Sequence, residues 1–159
     1  MNTLTKLAGA TSLFALLAVG GAHAQGALVG TEALDDRIDD IVEDVGALVA
    51  EKAEENGVSL VLALESQIGE AVMDPRTIHT VLLNLASNAV DACIFDENTD
   101  KQWQVLLRTS REKDGIVRFS VTDNGAGMSA KVRSRIFEPF FTKKEVGSGS
   151  GLGLCRGDR

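Results

Sequence analysis

The sequence predicts an α+β fold, a two-layer sandwich with one sheet and helices on one of its faces. Three observations predict it. A long amphipathic helical pattern comes first, a second helical pattern is apolar on most sides, and the order of elements is helix, strand, helix, strand, strand. At 159 residues there is room for one ordinary domain. Apolar residues at 44% and charged residues at 25% allow a buried core and exclude disorder driven by composition. The net charge of −7 argues against a nucleic-acid surface, which would carry a basic stripe. Scarce aromatics and absent tyrosine argue against base-stacking platforms. Cys93 and Cys155 stand far apart without CxxC spacing, so neither zinc nor a disulfide is inferred.

The first 25 residues differ from the rest. "MNTLTKLAGATSLFALLAVGGAHAQ" has an early lysine, an apolar run of about fifteen residues and Ala22-His23-Ala24 before Gln25. That is the layout of a secretory leader with an A-x-A cleavage site, and residues 26–159 are expected to form the domain. The run is short for a membrane span, which needs roughly twenty apolar residues. A buried N-terminal helix is the alternative.

"EALDDRIDDIVEDVGALVAEKAEENG" then places Leu34, Ile38, Ile41, Val45, Leu48 and Val49 at spacings of three and four, with acidic residues on the other faces. It reads as an amphipathic helix ended by Gly57. "VSLVLALE" reads as a strand. "MDPRTIHTVLLNLASNAVDAC" is the next helix, with Asp74 as N-cap and Pro75 at the first helical position. "WQVLLRTS" and "IVRFSVTD" read as two strands turned by Asp114-Gly115. "SAKVRSRIF" is a short helix, followed by a loop rich in glycine.

Three places could carry chemistry. On the second helix Asn84, Asn88 and Asp91 line up as i, i+4, i+7 in a narrow polar stripe on an otherwise apolar cylinder. The stripe is either a solvent face or a ligand site, where an amide oxygen could hold a hard cation such as Mg²⁺. In "VRFSVTD", Val117, Phe119, Val121 and Asp123 share parity, so Asp123 is expected to face the core at the strand's end. A carboxylate there needs hydrogen bonds, and it could accept from the exocyclic amine of a ligand beside the small turn Asn124-Gly125-Ala126-Gly127. Asn-Gly is also a common plain turn. Finally, Lys143 and Lys144 precede Gly147, Gly149, Gly151 and Gly153, whose unobstructed backbone N–H groups suit phosphate, as would a flexible tail. Neither a Walker-type loop nor a dinucleotide fingerprint is present.

Taken in order, "LLNLASNAVDA", "DNGAGM", "IFEPFFTKK" and "GSGSGLGL" resemble the N, G1, F and G2 boxes of the sensor histidine kinase ATP-binding domain, part of the wider group with gyrase-type ATPases. The resemblance runs from about Leu34 to Leu154, and the "EPFFTKKEVG" stretch looks like the nitrogen-regulatory subtype. It implies ATP and Mg²⁺ as cofactors. Asn88 matches the asparagine that binds Mg²⁺, and Asn84 its partner one turn earlier. Asp123 matches the aspartate that receives the adenine amine, with Gly125 and Gly127 beside the base. Phe137, Phe140 and Phe141 match the root of a mobile lid, Lys144 a lid lysine near the phosphates, and Gly149, Gly151 and Gly153 the glycines that approach the phosphate chain.

The resemblance also implies partners: a histidine-bearing dimerisation domain acting in trans, and a downstream response regulator. Neither His23 nor His79 matches a phosphoacceptor box, and Asp91 falls where some family members carry a basic phosphate contact. After the G2 box the family continues through further strands and helices, so the domain is expected to be incomplete at its C-terminus, with an unpaired sheet edge. Because ATP use conflicts with export, the ATP-binding part is expected in the cytoplasm, with the leader possible as a membrane anchor. Two other activities stay open: an anti-sigma-factor-type serine kinase, and a non-catalytic nucleotide-binding fragment.

Overall fold

The computed structural model describes residues 15–19, 34–66, 68, 73–112 and 115–135. Seven elements follow in chain order: β1 (Ala15–Val19), α1 (Leu34–Glu55), β2 (Ser59–Ala63), α2 (Pro75–Ile94), β3 (Gln104–Arg111), β4 (Val117–Asp123) and the single turn α3 (Ala130–Arg133). The strands form one mixed sheet in the order β1-β4-β3-β2. β2 and β3 are parallel, while β3–β4 and β4–β1 are antiparallel. The two long helices pack on each other and on the sheet, giving the two-layer α+β sandwich that the pattern predicts.

The ends of both helices follow from local sequence. At the end of α1, Gly57 takes φ +68°. Its N–H donates to Glu54 O at 3.0 Å, and the N–H of Val58 donates to Ala53 O at 2.8 Å. This pair of bonds is the Schellman closure, and it needs a residue that tolerates positive φ. Val58 and Ala53, which the motif brings together, are both buried. At the start of α2, Asp74 is extended (φ −92°, ψ 107°), accepts from Arg76 N at 3.1 Å and is followed by Pro75. Thr77 Oγ1 donates to the same carboxylate at 2.5 Å. These hydrogen bonds, Thr77's foremost, hold the Asp74 carboxyl below its ordinary value.

The core is built from the inward stripes of α1 and α2 and the matching face of the sheet. Ile38, Val42, Val45, Val49 and Ala53 of α1 meet Ile78, Leu82, Leu85, Ala89 and Val90 of α2 and Val105, Leu107, Val117, Phe119 and Val121 of the central strands. Leu48 departs from the expected stripe and is 56% exposed. The buried row runs Val45, Val49, Ala53 at intervals of four, and Leu48 lies a full residue-step to its side. Gly46 fits beneath the sheet, because a Cβ there would come within 3.2 Å of both Leu62 methyl carbons.

Differences from the expected elements are local. β2 is shorter than "VSLVLALE" at either end, and helical turns begin at Ala130 after the Ser129 N-cap. The Gly115 turn forms as expected, with φ +76° and Gly115 N donating to Glu112 O at 3.1 Å. One element is additional: β1 lies inside the leader-like stretch and pairs along β4 from Ala15↔Val121 to Val19↔Val117. Among the described residues no helix is long and apolar enough to cross a membrane.

Candidate nucleotide site

The site begins where β4 ends. Val117, Phe119, Val121 and Asp123 are all buried, as their shared parity predicts, and Asp123 is only 1% exposed. Its Oδ1 accepts from Gly125 N at 3.0 Å. The carboxylate is therefore fixed at the root of the turn, on the same side of the sheet as α2. A charge so deeply placed costs free energy unless donors surround it.

The turn after Asp123 is locked to its surroundings at the backbone. Ala126 N donates to Ala92 O at 2.9 Å, joining the turn to the last part of α2. Gly125 is required by close approach, since a Cβ on it would lie 2.3 Å from both the carbonyl carbon and oxygen of Ala92 and 2.6 Å from Cys93 N. Those are backbone atoms of a helix and cannot swing aside. Gly127 takes φ +67°, the left-handed region that favours glycine. Thus two of the glycines expected beside a base have backbone reasons for being glycine.

Asn124 was readable from sequence only as half of a common turn, yet it stitches the turn to the stretch leading into β3. Its Oδ1 accepts from Gln104 N at 2.7 Å, and its Nδ2 donates to Gln102 O at 2.8 Å. The side-chain amide thus reinforces the backbone bond from Asn124 N to Gln104 O at the end of the β3–β4 ladder. Lys101 adds a second brace, donating to Gly125 O at 3.5 Å and pairing with Asp96. That lysine holds the Asp96 carboxyl below its ordinary value. Cys93, buried behind the turn, has its thiol pushed up to about 11 by burial and by the nearby Asp123 charge. It stays a neutral thiol through the physiological range.

The α2 stripe lies on the helix against which this turn is pinned. Asn84 and Asn88 are half-buried, and Asp91, further along, is buried at 8% exposure. Lys52 of α1 supplies the counter-charge by pairing with Asp91 Oδ1. This cross-helix pair was not legible, because its partners stand 39 residues apart in sequence. His79 Nε2 lies 2.7 Å from Asp44 Oδ2, tying α2 back to α1 at its other end. Structure thus places Asn84 and Asn88 on α2, Asp123 at the end of β4, and Gly125 and Gly127 in the turn that joins β4 to α2 through the Ala126–Ala92 bond. Phe137, Phe140, Phe141, Lys144, Gly149, Gly151 and Gly153 lie outside the described residues.

A fixed carboxylate can accept from an exocyclic amine, and two amide oxygens one helical turn apart are hard donors. Among the described residues no group of three or more His, Cys, Asp or Glu side chains could hold a metal ion.

Comparison with known proteins agrees with this arrangement. The family model described as histidine kinase-, DNA gyrase B- and HSP90-like ATPase matches residues 73–156, which include the α2 stripe, the turn after β4 and the glycine-rich loop. The sensor histidine kinase ZraS of Escherichia coli is 35% identical over 107 residues, covering 67% of this chain and 22% of ZraS. The signal transduction histidine-protein kinase AtoS of the same organism is 29% identical over 116 residues, covering 73% of this chain and 18% of AtoS. The chain therefore spans about a fifth of the length of such relatives. In three dimensions the catalytic domain of histidine kinase ThkA superposes with a TM-score of 0.62 at 26% identity, covering 76% of this chain and 74% of that one. Full-length ShkA in complex with AMPPNP gives 0.61 at 31% identity, covering 84% of this chain and 26% of its own. With a buried aspartate before a pinned glycine turn, an asparagine-bearing helix beneath it and these likenesses, the chain belongs to the histidine kinase-, gyrase B- and HSP90-like ATPase family and carries the ATP-binding domain of a sensor histidine kinase.

Proposed function

We propose that the chain binds Mg²⁺-ATP between α2 and the turn after β4, and supplies the γ-phosphate to a histidine on a separate helical domain in trans. The observation that carries this reading is the placement of Asp123, a 1% exposed carboxylate whose Oδ1 is oriented by Gly125 N at 3.0 Å. Such a group can distinguish adenine, which offers an exocyclic amine, from guanine, which offers a carbonyl oxygen at the corresponding edge. The AMPPNP bound to ShkA supports an adenine nucleotide as the ligand.

Asn88, with Asn84 one turn before it, would hold Mg²⁺ through amide oxygen. Mg²⁺ commonly takes few protein ligands, and fills its shell with water and substrate phosphates. Bound there, the ion would neutralise charge on the phosphate chain. Gly125 and Gly127 would line the base. Phe137, Phe140 and Phe141 would root a lid, with Lys144, Gly149, Gly151 and Gly153 reaching the phosphates. Because the substrate is ATP, we place this domain in the cytoplasm. A response regulator would take the phosphate onward from the histidine, a role supported by the two-component sensors among the relatives.

Transfer of label from γ-labelled ATP tests the proposal. The full chain is mixed with a histidine-bearing dimerisation domain from a related kinase. Acid-labile, alkali-stable label on that domain is the expected result. Label on a serine of a partner, or none despite saturable ATP binding, would overturn it.

A further inference from the structure

The stretch with the composition of an export leader contains β1, and β1 is the outer neighbour of β4. Five residues pair in antiparallel register: Ala15↔Val121, Leu16↔Ser120, Leu17↔Phe119, Ala18↔Arg118 and Val19↔Val117. The register is in phase with burial on β4. Ala15, Leu17 and Val19 stand opposite Val121, Phe119 and Val117, which are all buried, whereas Leu16 and Ala18 stand opposite the half-buried Ser120 and Arg118. Because Ala15–Val19 is apolar throughout, every residue it sets opposite the buried positions of β4 is apolar. Among the described strands β1 alone covers the outer row of N–H and C=O groups on β4, beside the central core residue Phe119.

We infer that Ala15–Val19 is retained as an intramolecular edge strand that closes the β4 side of the sheet. The occupant of this edge is thus the chain's own N-terminal segment. Docking and export compete for the same residues. A segment laddered to β4 cannot be threaded through a translocation channel, and cleavage after Ala24 would detach β1 and uncover β4. Folding of the domain thereby keeps the nucleotide site and the leader-like segment in one compartment. Asp123 lies beyond the last β1 pair, so the strand closes the sheet without covering the carboxylate.

Amide hydrogen exchange on the full chain tests this directly. In the unaltered protein the amides of Ala15–Val19 should exchange much more slowly than those of an unstructured peptide. The double substitution Leu16→Pro/Leu17→Pro gives the second reading. Neighbouring N–H groups point to opposite sides of a strand, so one of the two prolines removes a donor facing β4. Alternate amides of residues 117–121, those facing β1, should then lose protection while those facing β3 keep it. Random-coil exchange of Ala15–Val19 in the unaltered chain, or β4 protection identical in both proteins, would overturn the inference. So would recovery from cells of a chain starting at Gln25, or protection that appears only in a dimer at high concentration. ATP need not bind for any of these results, so failure of the proposed function is distinguishable from failure here.

Discussion

β4 has two neighbours, and they differ in how the chain brings them there. β3 is joined to it through the Gly115 turn, and seven residue pairs run from Val105↔Asp123 to Arg111↔Val117. β1 arrives from the opposite end of the sequence and makes five pairs that stop at Val121. Both are antiparallel ladders, so the chemistry per pair is alike. Loop closure distinguishes them: the hairpin closes a short loop, and β1 must close the long stretch between Val19 and Val117. The cost grows slowly with length, about 0.6 kcal/mol for each doubling. The contrast therefore bears more on the order of folding than on final stability, with the hairpin formed early and β1 docked late. Among the described strands Asp123 pairs with β3, its carboxylate accepts from Gly125 N, and the turn that follows is fastened to Gln104 and α2. The candidate site thus sits on the border that forms locally, and the distant segment closes the other.

The largest way to break this arrangement is at the residue both borders share. Phe119→Ala empties a fully buried site opposite Thr109 on one side and Leu17 on the other. It should cost about 4 kcal/mol, read from the urea midpoint at constant m. Gly125→Ala acts only at the site border. Its methyl would collide with the Ala92 backbone, so a loss of about 3 kcal/mol is expected, along with nucleotide binding, while exchange protection in β1 survives. Lys52→Ala removes the ammonium partner of Asp91. Because Lys52 is half-exposed, the expected loss is about 1 kcal/mol, measured in the same way.

The smallest effect concerns pH. The Asp74 carboxyl is held below 3.8 in the folded chain, mainly by Thr77. A lowered folded value means that its contribution is present above the unfolded value and is lost as pH falls through the folded one. Asp74→Ala should therefore lie below the unaltered protein in stability at neutral pH, and converge with it in acid. Parallel stability curves throughout would contradict that assignment.

Much of this was legible in the sequence for identifiable reasons. Gly57, Asp74, Pro75 and Gly115 encode their turns and caps through backbone chemistry that hardly depends on tertiary context. The parity of Val117, Phe119, Val121 and Asp123 is a property of any strand, so the buried aspartate could be expected before the fold was known. What escaped was long-range or ambiguous in kind. The Lys52–Asp91 pair joins helices far apart in sequence, and Asn124 does its stitching across segments. Ala15–Val19 is a continuous apolar run with no alternation, and periodicity cannot tell such a run from a leader or a buried helix. The close approach of Gly125 to Ala92 has no local signal, although the family resemblance marks the position.

Calorimetric titration of the full chain with Mg²⁺-ATP, alongside Asp123→Asn, tests the central claim most directly. The account predicts saturable heat for the unaltered protein and its loss in the variant, whose amide also presents a donor where the carboxylate only accepts. Equal binding by both proteins, or no binding by the folded unaltered chain, would contradict it.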